Sequence, residues 1–557
     1  MKKYTLTLLI IFLTQFGFAQ TDAREYFKIG RAFSNKGDYL NAKKNYQLFI
    51  DTYKGTDPVL KQLAEKHIRD CDFSIQAMKS PEQFKLLNMG PGINSGYRDY
   101  FPAITADGET IIFSRNVGGN EDFYVSKKKN SEWQAALPLS DQINTKAYNE
   151  GAQSISPDGM YLFFTGCNRP DGLGRCDIYV SHRNGNEWGK PFNLGAPLNS
   201  AYWDSQPAIT PDGSTLYFVS NRPGGLGGYD IWKSTLNDEG EWEKPINLGP
   251  EINTAYDEHT PFIHPDGKTM YFSSDGWPGF GNKDLFYSRL DEHNNWAKPV
   301  NLGYPINTFN EETGLIVTPD GTEGLLSSNI AGGFGDMDIY RFKMPQHAKP
   351  QLITYVKGIV KDRQTSSLLE ARIQVVDLKS KHAVYSDYTS ESGDFLAVMP
   401  IGSDYAFNVS ADGYLFYSQN FELNKAYVSK PFVMEILMDK IRIGTDVTLR
   451  NIFFDTNKYE LLESSVVELN NLVDLLVLNK NIAIEIQGHT DNIGNSLLNE
   501  KLSLNRAKAV YDYLVAHKIN PVKLSYKGLG AKNPLVTNDT EEGRKQNRRT
   551  SFIITKL

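Results

Sequence analysis

Residues 206–219 read QPAITPDGSTLYFV, two short alternating apolar runs on either side of Pro211-Asp212-Gly213. Alternation with a period of two marks a strand with one buried face, and Asp-Gly supplies the positive φ that a tight turn between antiparallel strands needs. The stretch is therefore a hairpin, and the chain repeats it. FPAITADGETIIFS (101–114), AQSISPDGMYLFFT (152–165), TPFIHPDGKTMYFS (260–273) and GLIVTPDGTEGLLS (314–327) complete a series with Asp-Gly at 107, 158, 212, 266 and 320, a spacing that settles near 54. In each repeat a third strand follows a glycine-rich loop, as in NRPGGLGGYDIW (221–232), and a fourth follows in EWEKPINLGPEINT (241–254). Four strands, five times over, predict a five-bladed β-propeller across 83–345. The fifth repeat stops at RFKM (341–344) without a fourth strand, while an orphan copy, FKLLNMGPGIN (84–94), precedes the first repeat. That N-terminal strand is expected to complete the last blade.

These repeats resemble the WD40-like (PD40) family of exported bacterial proteins, close to the TolB propeller. The flanking segments differ in character. Over 22–80 the pattern is helical, and Tyr26, Ile29, Gly30, Phe33, Ala42, Tyr46 and Phe49 fall at tetratricopeptide (TPR) spacings, with a third helix from Pro58 to Met78. One TPR-like repeat is either a docking surface or a structural cap. Residues 352–437 hold short strands at sandwich spacing. There, G-x-V-x-D (358–362), SESGDF (390–395) and SADGY (410–414) resemble the carboxypeptidase-regulatory-like β-sandwich. Residues 1–19 have two lysines, an apolar run and a small-residue end at Ala19, the pattern of an export signal. No later segment approaches eighteen apolar residues in a row, so no direct transmembrane anchor is expected.

The chain of 557 residues carries a formal charge of -7, which does not suggest a nucleic-acid partner. Residues 441–557 hold 16 Lys+Arg against 13 Asp+Glu, a local +3. This suits an anionic polymer, as it does an ordinary solvated surface. There is no H-E-x-x-H, G-x-S-x-G or Walker loop, and no enzyme activity, cofactor or metal is expected. Asp122, Asp177, Asp230, Asp284 and Asp338 recur once per repeat. Catalysis breaks repeat symmetry, so these acids read as ties for the loop before each third strand, with calcium binding as the alternative. Cys167 and Cys176 end one loop, CNRPDGLGRC, and are either a disulfide worth roughly 3 kcal/mol or two buried thiols.

From Val447 strand and helix alternate: a strand over LRNIFFDTNKYEL (449–461), a helix from Glu463 to Asn479, strand IAIEIQGHTD (482–491), a helix from Leu498 to His517, and strands KLSYKGLG (523–530) and RTSFIITKL (549–557). This predicts an α/β domain over 441–557, so the fold class is multidomain: all-α segment, propeller, sandwich, α/β domain. Within GHTDNIGNSLLNEKLSLNRAKAV (488–510), Asp491 and Arg506 stand fifteen residues apart, too far to pair along one helix. Brought together by the fold, a carboxylate and a guanidinium would suit a group with an ammonium and a carboxylate on one carbon, the guanidinium gripping the carboxylate in a bidentate way. The plain alternative is a surface ion pair.

The motifs F-F-D-T-N, G-H-T-D-N-x-G, N-x-x-L-S-x-x-R-A-x-x-V and the late N-R-R closely resemble the OmpA C-terminal family. That resemblance implies non-covalent binding of peptidoglycan through the diaminopimelate of its stem peptide, with Asp491 and Arg506 in the binding positions. Thr490, Asn499 and Leu502 would shape the pocket. Asp455 would either line it or cap the following helix, and Asn547, Arg548 and Arg549 would either touch the wall or hold the last strand. The domain order as a whole resembles the PorE-like exported proteins of Bacteroidota associated with type IX secretion. This implies a periplasmic tether at the outer membrane whose propeller and TPR hold outer-membrane or secretion-complex proteins. The competing expectation is a propeller that senses or carries a soluble ligand, with wall binding only for localisation.

Overall fold

The computed structural model describes residues 23–237, 239–330, 332–424 and 431–557, and the expected export signal at 1–19 lies outside them. Ala23–Ser34, Tyr39–Thr52 and Pro58–Ala77 are helices. The second and third start where Asp38 and Asp57 accept hydrogen bonds from free backbone amides, of Asn41 and of Val59 and Leu60. A Cβ on Gly30 would stand 2.9 Å from the Tyr46 ring, so glycine is what lets the first two helices meet there. The helices form one compact unit with residues 277–284 and 301–312. Its core joins Tyr39, Tyr46 and Cys71 to Phe280, and Tyr39 Oη and Ser74 Oγ donate to the Phe280 and Gly279 carbonyls at 3.0 and 2.9 Å.

The second unit comprises 83–276, 285–300 and 313–557. Between Leu87 and Lys343 the described residues form five antiparallel sheets. One of them runs Asp204–Ile209, Thr215–Ser220, Asp230–Thr235, Ile246–Asn247 in order. The sheet of Ile316–Val317, Glu323–Ser328 and Asp338–Lys343 takes its outer strand from Leu87–Asn88, with Leu87 opposite Arg341 and Asn88 opposite Tyr340. Phe163, Ile178 and Val180 of one sheet bury themselves against Ile209, Leu216, Phe218 and Trp232 of the next.

The first strand of each sheet is not regular. Phe101, Ala152, Gln206 and Thr260 take φ of 49°, 48°, 53° and 48°, Gly314 takes 69°, and the pairing register shifts beside the first four. Gly314 lies just before its strand, and the first four are bulges, which turn polar groups out of the ladder. They are spent on the neighbouring sheet. Phe101 N donates to Ser327 Oγ (3.2 Å), Gln206 N to Thr165 Oγ1 (3.1 Å), Thr260 N to Gln206 Oε1 (2.7 Å) and Gly314 N to Thr260 Oγ1 (3.2 Å), and Gln153 Nε2 donates to Phe101 O. All five junctions between sheets, first to last included, carry such a bond.

Three further devices recur. The Asn94, Asn144, Asn199 and Asn253 side chains each bond both N–H and C=O of one third-strand residue, namely Ile339, Phe123, Ile178 and Ile231. Asp177, Asp230 and Asp338 accept backbone N–H bonds from Leu173 and Gly174, Leu226 and Gly227, and Phe334 and Gly335. Asp122 departs from this pattern: its Oδ2 takes Asn120 Nδ2 and its Oδ1 is buried without a partner among the described residues. Finally, buried acids of three first strands meet arginines: Asp99 with Arg115, Glu150 with Arg169, Asp204 with Arg222. Cys167 and Cys176, paired across two strands, form a disulfide.

Between Ile353 and Met438 the described residues form two sheets. One orders Asp394–Pro400, Ile353–Asp362, Phe432–Met438, and the other Ala383–Tyr388, Arg372–Asp377, Asp404–Ser410, Tyr417–Glu422. Alternate residues of both, such as Val356, Ala397 and Ile436 from the first and Ile373, Phe407 and Val409 from the second, fill one core.

The C-terminal sheet orders Asp446–Leu449, Thr550–Lys556, Ala483–His489, Leu524–Gly530, with the last two strands parallel. Helices Val466–Leu478 and Ser496–Ala516 lay Leu469, Leu472, Leu476, Ala507, Val510 and Leu514 over Ile484, Ile486, Phe552 and Ile554. The first strand ends where 449–461 was expected to begin one. Arg450 N turns to Glu468 Oε1 and Phe453 N to Ser465 Oγ, so this segment leaves the ladder for the helix start. A short helix, Glu541–Asn547, capped by Thr540, was not anticipated.

Candidate functional site at the end of the central strand

Strand Ala483–His489 runs between two neighbours, and helix Ser496–Ala516 crosses it closely. A Cβ on Gly488 would lie 2.0 Å from Ser503 O, and one on Gly528 would lie 2.4 Å from Leu504 N. Bare backbone at these two positions therefore seats the helix, and with it Arg506, beside the strand end. Asp491 follows in the loop, where its Oδ1 accepts Ile493 N at 3.0 Å. Asn499 Nδ2 ties that loop to the helix through the Ile493 (3.0 Å) and Asp491 (3.4 Å) carbonyls, and Asn495 caps the helix through Leu497 and Leu498 N.

Arg506 is buried, as is Asp491, each 9% exposed. Its Nε and Nη2 donate to the Lys458 and Asp455 carbonyls at 3.0 and 3.3 Å, and its guanidinium lies 4.8 Å from the Phe454 ring centre. FFDTN thus serves the site mainly through its backbone. The Asp455 carboxylate is exposed and pairs with Lys458 at 2.9 Å. It does not cap a helix, because the next one begins at Glu463 as a 3-10 turn and becomes α-helical at Val466.

Asp491 and Arg506 do not bond one another. Asp491 Oδ2 takes Arg548 Nη1 at 2.7 Å, and Arg548 Nη2 reaches Glu541 Oε1 at 2.8 Å. Burial and the nearby Arg548 charge lower the Arg506 pKa, and Asp491 opposes them, so all three groups share one field. The Asp491 hydrogen bond, with Glu541, raises that of Arg548. The role of Arg548 escaped the sequence reading, where it stood only as one of the late N-R-R residues.

The other residues differ. Thr490 is buried, its N–H bonded to Gly530 O at 2.9 Å and its Oγ1 unpartnered among the described residues. Leu502 is half-buried, one turn before Arg506. Asn547 is wholly buried and binds Leu535 N and Val536 O, so it holds a loop. Arg549 Nη2 donates to Asn533 O at 3.1 Å. His489 is driven down to about 4 by burial and by the Arg549 charge, which keeps it neutral at physiological pH. Two guanidiniums and one carboxylate at this strand end form an arrangement that can hold a small group bearing both signs of charge.

Residues 453–548 match the OmpA family, and this part of the chain is an OmpA-family domain. Outer membrane protein Omp38 of Acinetobacter baumannii is 39% identical over 105 residues, 19% of this chain and 30% of that protein. Peptidoglycan-binding protein ArfA of Mycobacterium bovis is 37% identical over 108 residues, 19% and 33% of the two chains. The peptidoglycan-associated lipoprotein of Burkholderia pseudomallei is similar in crystal structure at 27% identity over 18% of this chain and 87% of that one, with a TM-score of 0.18. The chain spans about a third of the length of the first two relatives.

Proposed function

We propose that the protein is a non-enzymatic tether that grips peptidoglycan with its C-terminal domain and an envelope protein complex with the rest of the chain. It works in the periplasm, at the outer membrane and the wall. The ligand in the wall is the free end of diaminopimelate, an ammonium and a carboxylate on one carbon. Asp491 receives the ammonium, and Arg506, its plane already fixed by the 455 and 458 carbonyls, receives the carboxylate. Thr490, Asn499 and Leu502 border the pocket.

The observation that carries this reading is the meeting of Asp491 with two guanidiniums at one strand end, inside a segment whose relatives include a protein named as peptidoglycan-binding. The remaining parts are a TPR-like segment (22–80), a five-bladed propeller (83–345) and a carboxypeptidase-regulatory-like sandwich (352–437). The propeller reading is supported by the hydrogen bonds at all five sheet junctions and by a central pocket lined by the first strand of every sheet. The complex held by propeller and helices is the type IX secretion machinery, a reading that rests on domain order.

Sedimentation of the full chain with purified diaminopimelate-type sacculi tests wall binding. Asp491→Ala and Arg506→Ala, both folded, are expected to lose about tenfold or more of the bound fraction's affinity. Undiminished binding by both would reject the site. A second reading, in which the five-sheet region carries a soluble ligand and the wall domain only localises it, is favoured by one further feature of that region.

A further inference from the structure

A cavity of about 780 Å³ opens between two of the five sheets and the strand Ala383–Tyr388. Its walls are apolar and aromatic, with Tyr161, Phe192, Trp242 and Tyr385 among them. The size is that of a small-molecule site. Tyr385 Oη donates to Asp158 Oδ2 at 3.0 Å and so fixes the strand against the cavity.

The charged groups on this wall have one sign. Asp158, Asp212, Glu241 and Asp387 line it, and no Lys, Arg or His does among the described residues. Asp158 and Asp212 are largely occupied by their own turns and by Tyr385. Asp387 is not: among the described residues only its Oδ1 is taken, by Tyr388 N at 2.7 Å. The His182 imidazole lies against the Tyr161 ring, with centroids 4.7 Å apart and planes tilted by 35°, and burial lowers its pKa. Burial and the Asp158 charge push the Asp387 carboxyl up to about 6, the behaviour of a carboxylate that lacks a counter-ion.

We propose that this cavity binds a small organic cation, an ammonium group on an aromatic or branched apolar body, with the ammonium at Asp387 and Glu241 and the body against Tyr161, Phe192 and Trp242. Ring faces add to the attraction of the cation, which an apolar anion of the same shape would not share. The inference rests on the second reading above and on nothing in the wall domain.

The test is calorimetric titration of the full chain, in slightly alkaline buffer where Asp387 is ionised, with 2-phenylethylamine and with 3-phenylpropionate. The amine is expected to bind about tenfold more tightly than the acid, or ~1.4 kcal/mol. Asp387→Asn should abolish that preference, and Glu241→Gln, at an exposed position, should reduce it without touching the fold. Equal affinity of the two probes, no heat with the amine, or an unchanged preference in both variants would overturn the proposal. Sacculus sedimentation of the same samples keeps its failure distinct from failure of wall binding.

Discussion

Arg548, not Arg506, is the ion-pair partner of Asp491, at 2.7 Å, and its other terminal nitrogen is held by Glu541. The Asp491 side chain is only 13% exposed, so it depends on that partner. Arg548→Ala should cost about 1–3 kcal/mol in denaturant unfolding of this domain, the usual cost of an orphaned buried acceptor. It should also weaken sedimentation with sacculi. Arg548→Lys, which keeps the charge, should recover most of the stability. Equal loss in both variants would mean that the fork geometry rather than the charge positions Asp491.

The boundary at residue 440 is covalent rather than energetic. Leu415 and Phe416 belong to the C-terminal core, with Phe416 6.1 Å from the Phe552 ring, and buried Glu468 takes Ser418 Oγ at 2.6 Å as well as Asn451 Nδ2 at 3.0 Å. A chain ended at 440 should therefore leave the wall fraction, keep the five sheets folded, and melt its two-sheet domain early. Limited proteolysis should cut first around Leu415. Resistance of that site equal to that of the full chain would show the contact to be dispensable.

Where Asp204 has Arg222, Glu258 has among the described residues only neutral donors: Thr254 N and Oγ1 and Ser274 Oγ, at 2.9, 2.8 and 2.7 Å. Burial pushes its carboxyl up to about 7. The folded chain then holds this proton more tightly than the unfolded one, so this group's contribution falls as pH rises from the ordinary Glu range to about 7. The full loss is on the order of 3 kcal/mol. Glu258→Gln should flatten that part of the profile and raise the urea midpoint on the alkaline side. An unchanged slope would show that Glu258 ionises freely.

Buried and exposed ion pairs of this fold should separate cleanly. Arg222 Nη2 lies 2.5 Å from Asp204 and 2.6 Å from Leu198 O, with its guanidinium 4.9 Å from the Phe218 ring. Arg222→Met strands a wholly buried carboxylate and should cost about 3–5 kcal/mol. The pair Arg341–Glu323, 45% and 30% exposed, should lose about 1 kcal/mol or less in Arg341→Met. Comparable midpoints for both variants would contradict this ordering.

The repeating hairpins were legible because Asp-Gly and a period of two are local signals. The change from a strand pattern to a helix pattern between Asp491 and Arg506 was legible for the same reason, although the strand ends at His489 and leaves Asp491 in the loop after it. What stayed hidden is what depends on distant backbone. Nothing local in FPAIT or QPAIT announces that Phe101 or Gln206 takes a left-handed φ, because the bulge is sustained by donors and acceptors on the adjoining sheet. The asparagine of GPGIN and its counterparts at 144, 199 and 253 recurred in plain view, yet their bonds to third strands could be seen only once pairing was known. Arg548 lies 57 residues from Asp491 and meets it through sheet order alone.

The outer strand Leu87–Asn88 lies antiparallel against Tyr340–Arg341. The chain thus enters the five-sheet region and leaves it at the same corner of the same sheet. Mechanical tension along the chain would bear on this seam. Antiparallel exits at one corner are pulled apart bond by bond, so the seam's strength lies in what locks its far side. There Asn94 Nδ2 and Oδ1 grip the Ile339 carbonyl and amide at 2.9 and 2.8 Å, and Asn88 Nδ2 holds Asp338 at 2.8 Å. Two asparagine side chains thus act as the rivets of this seam.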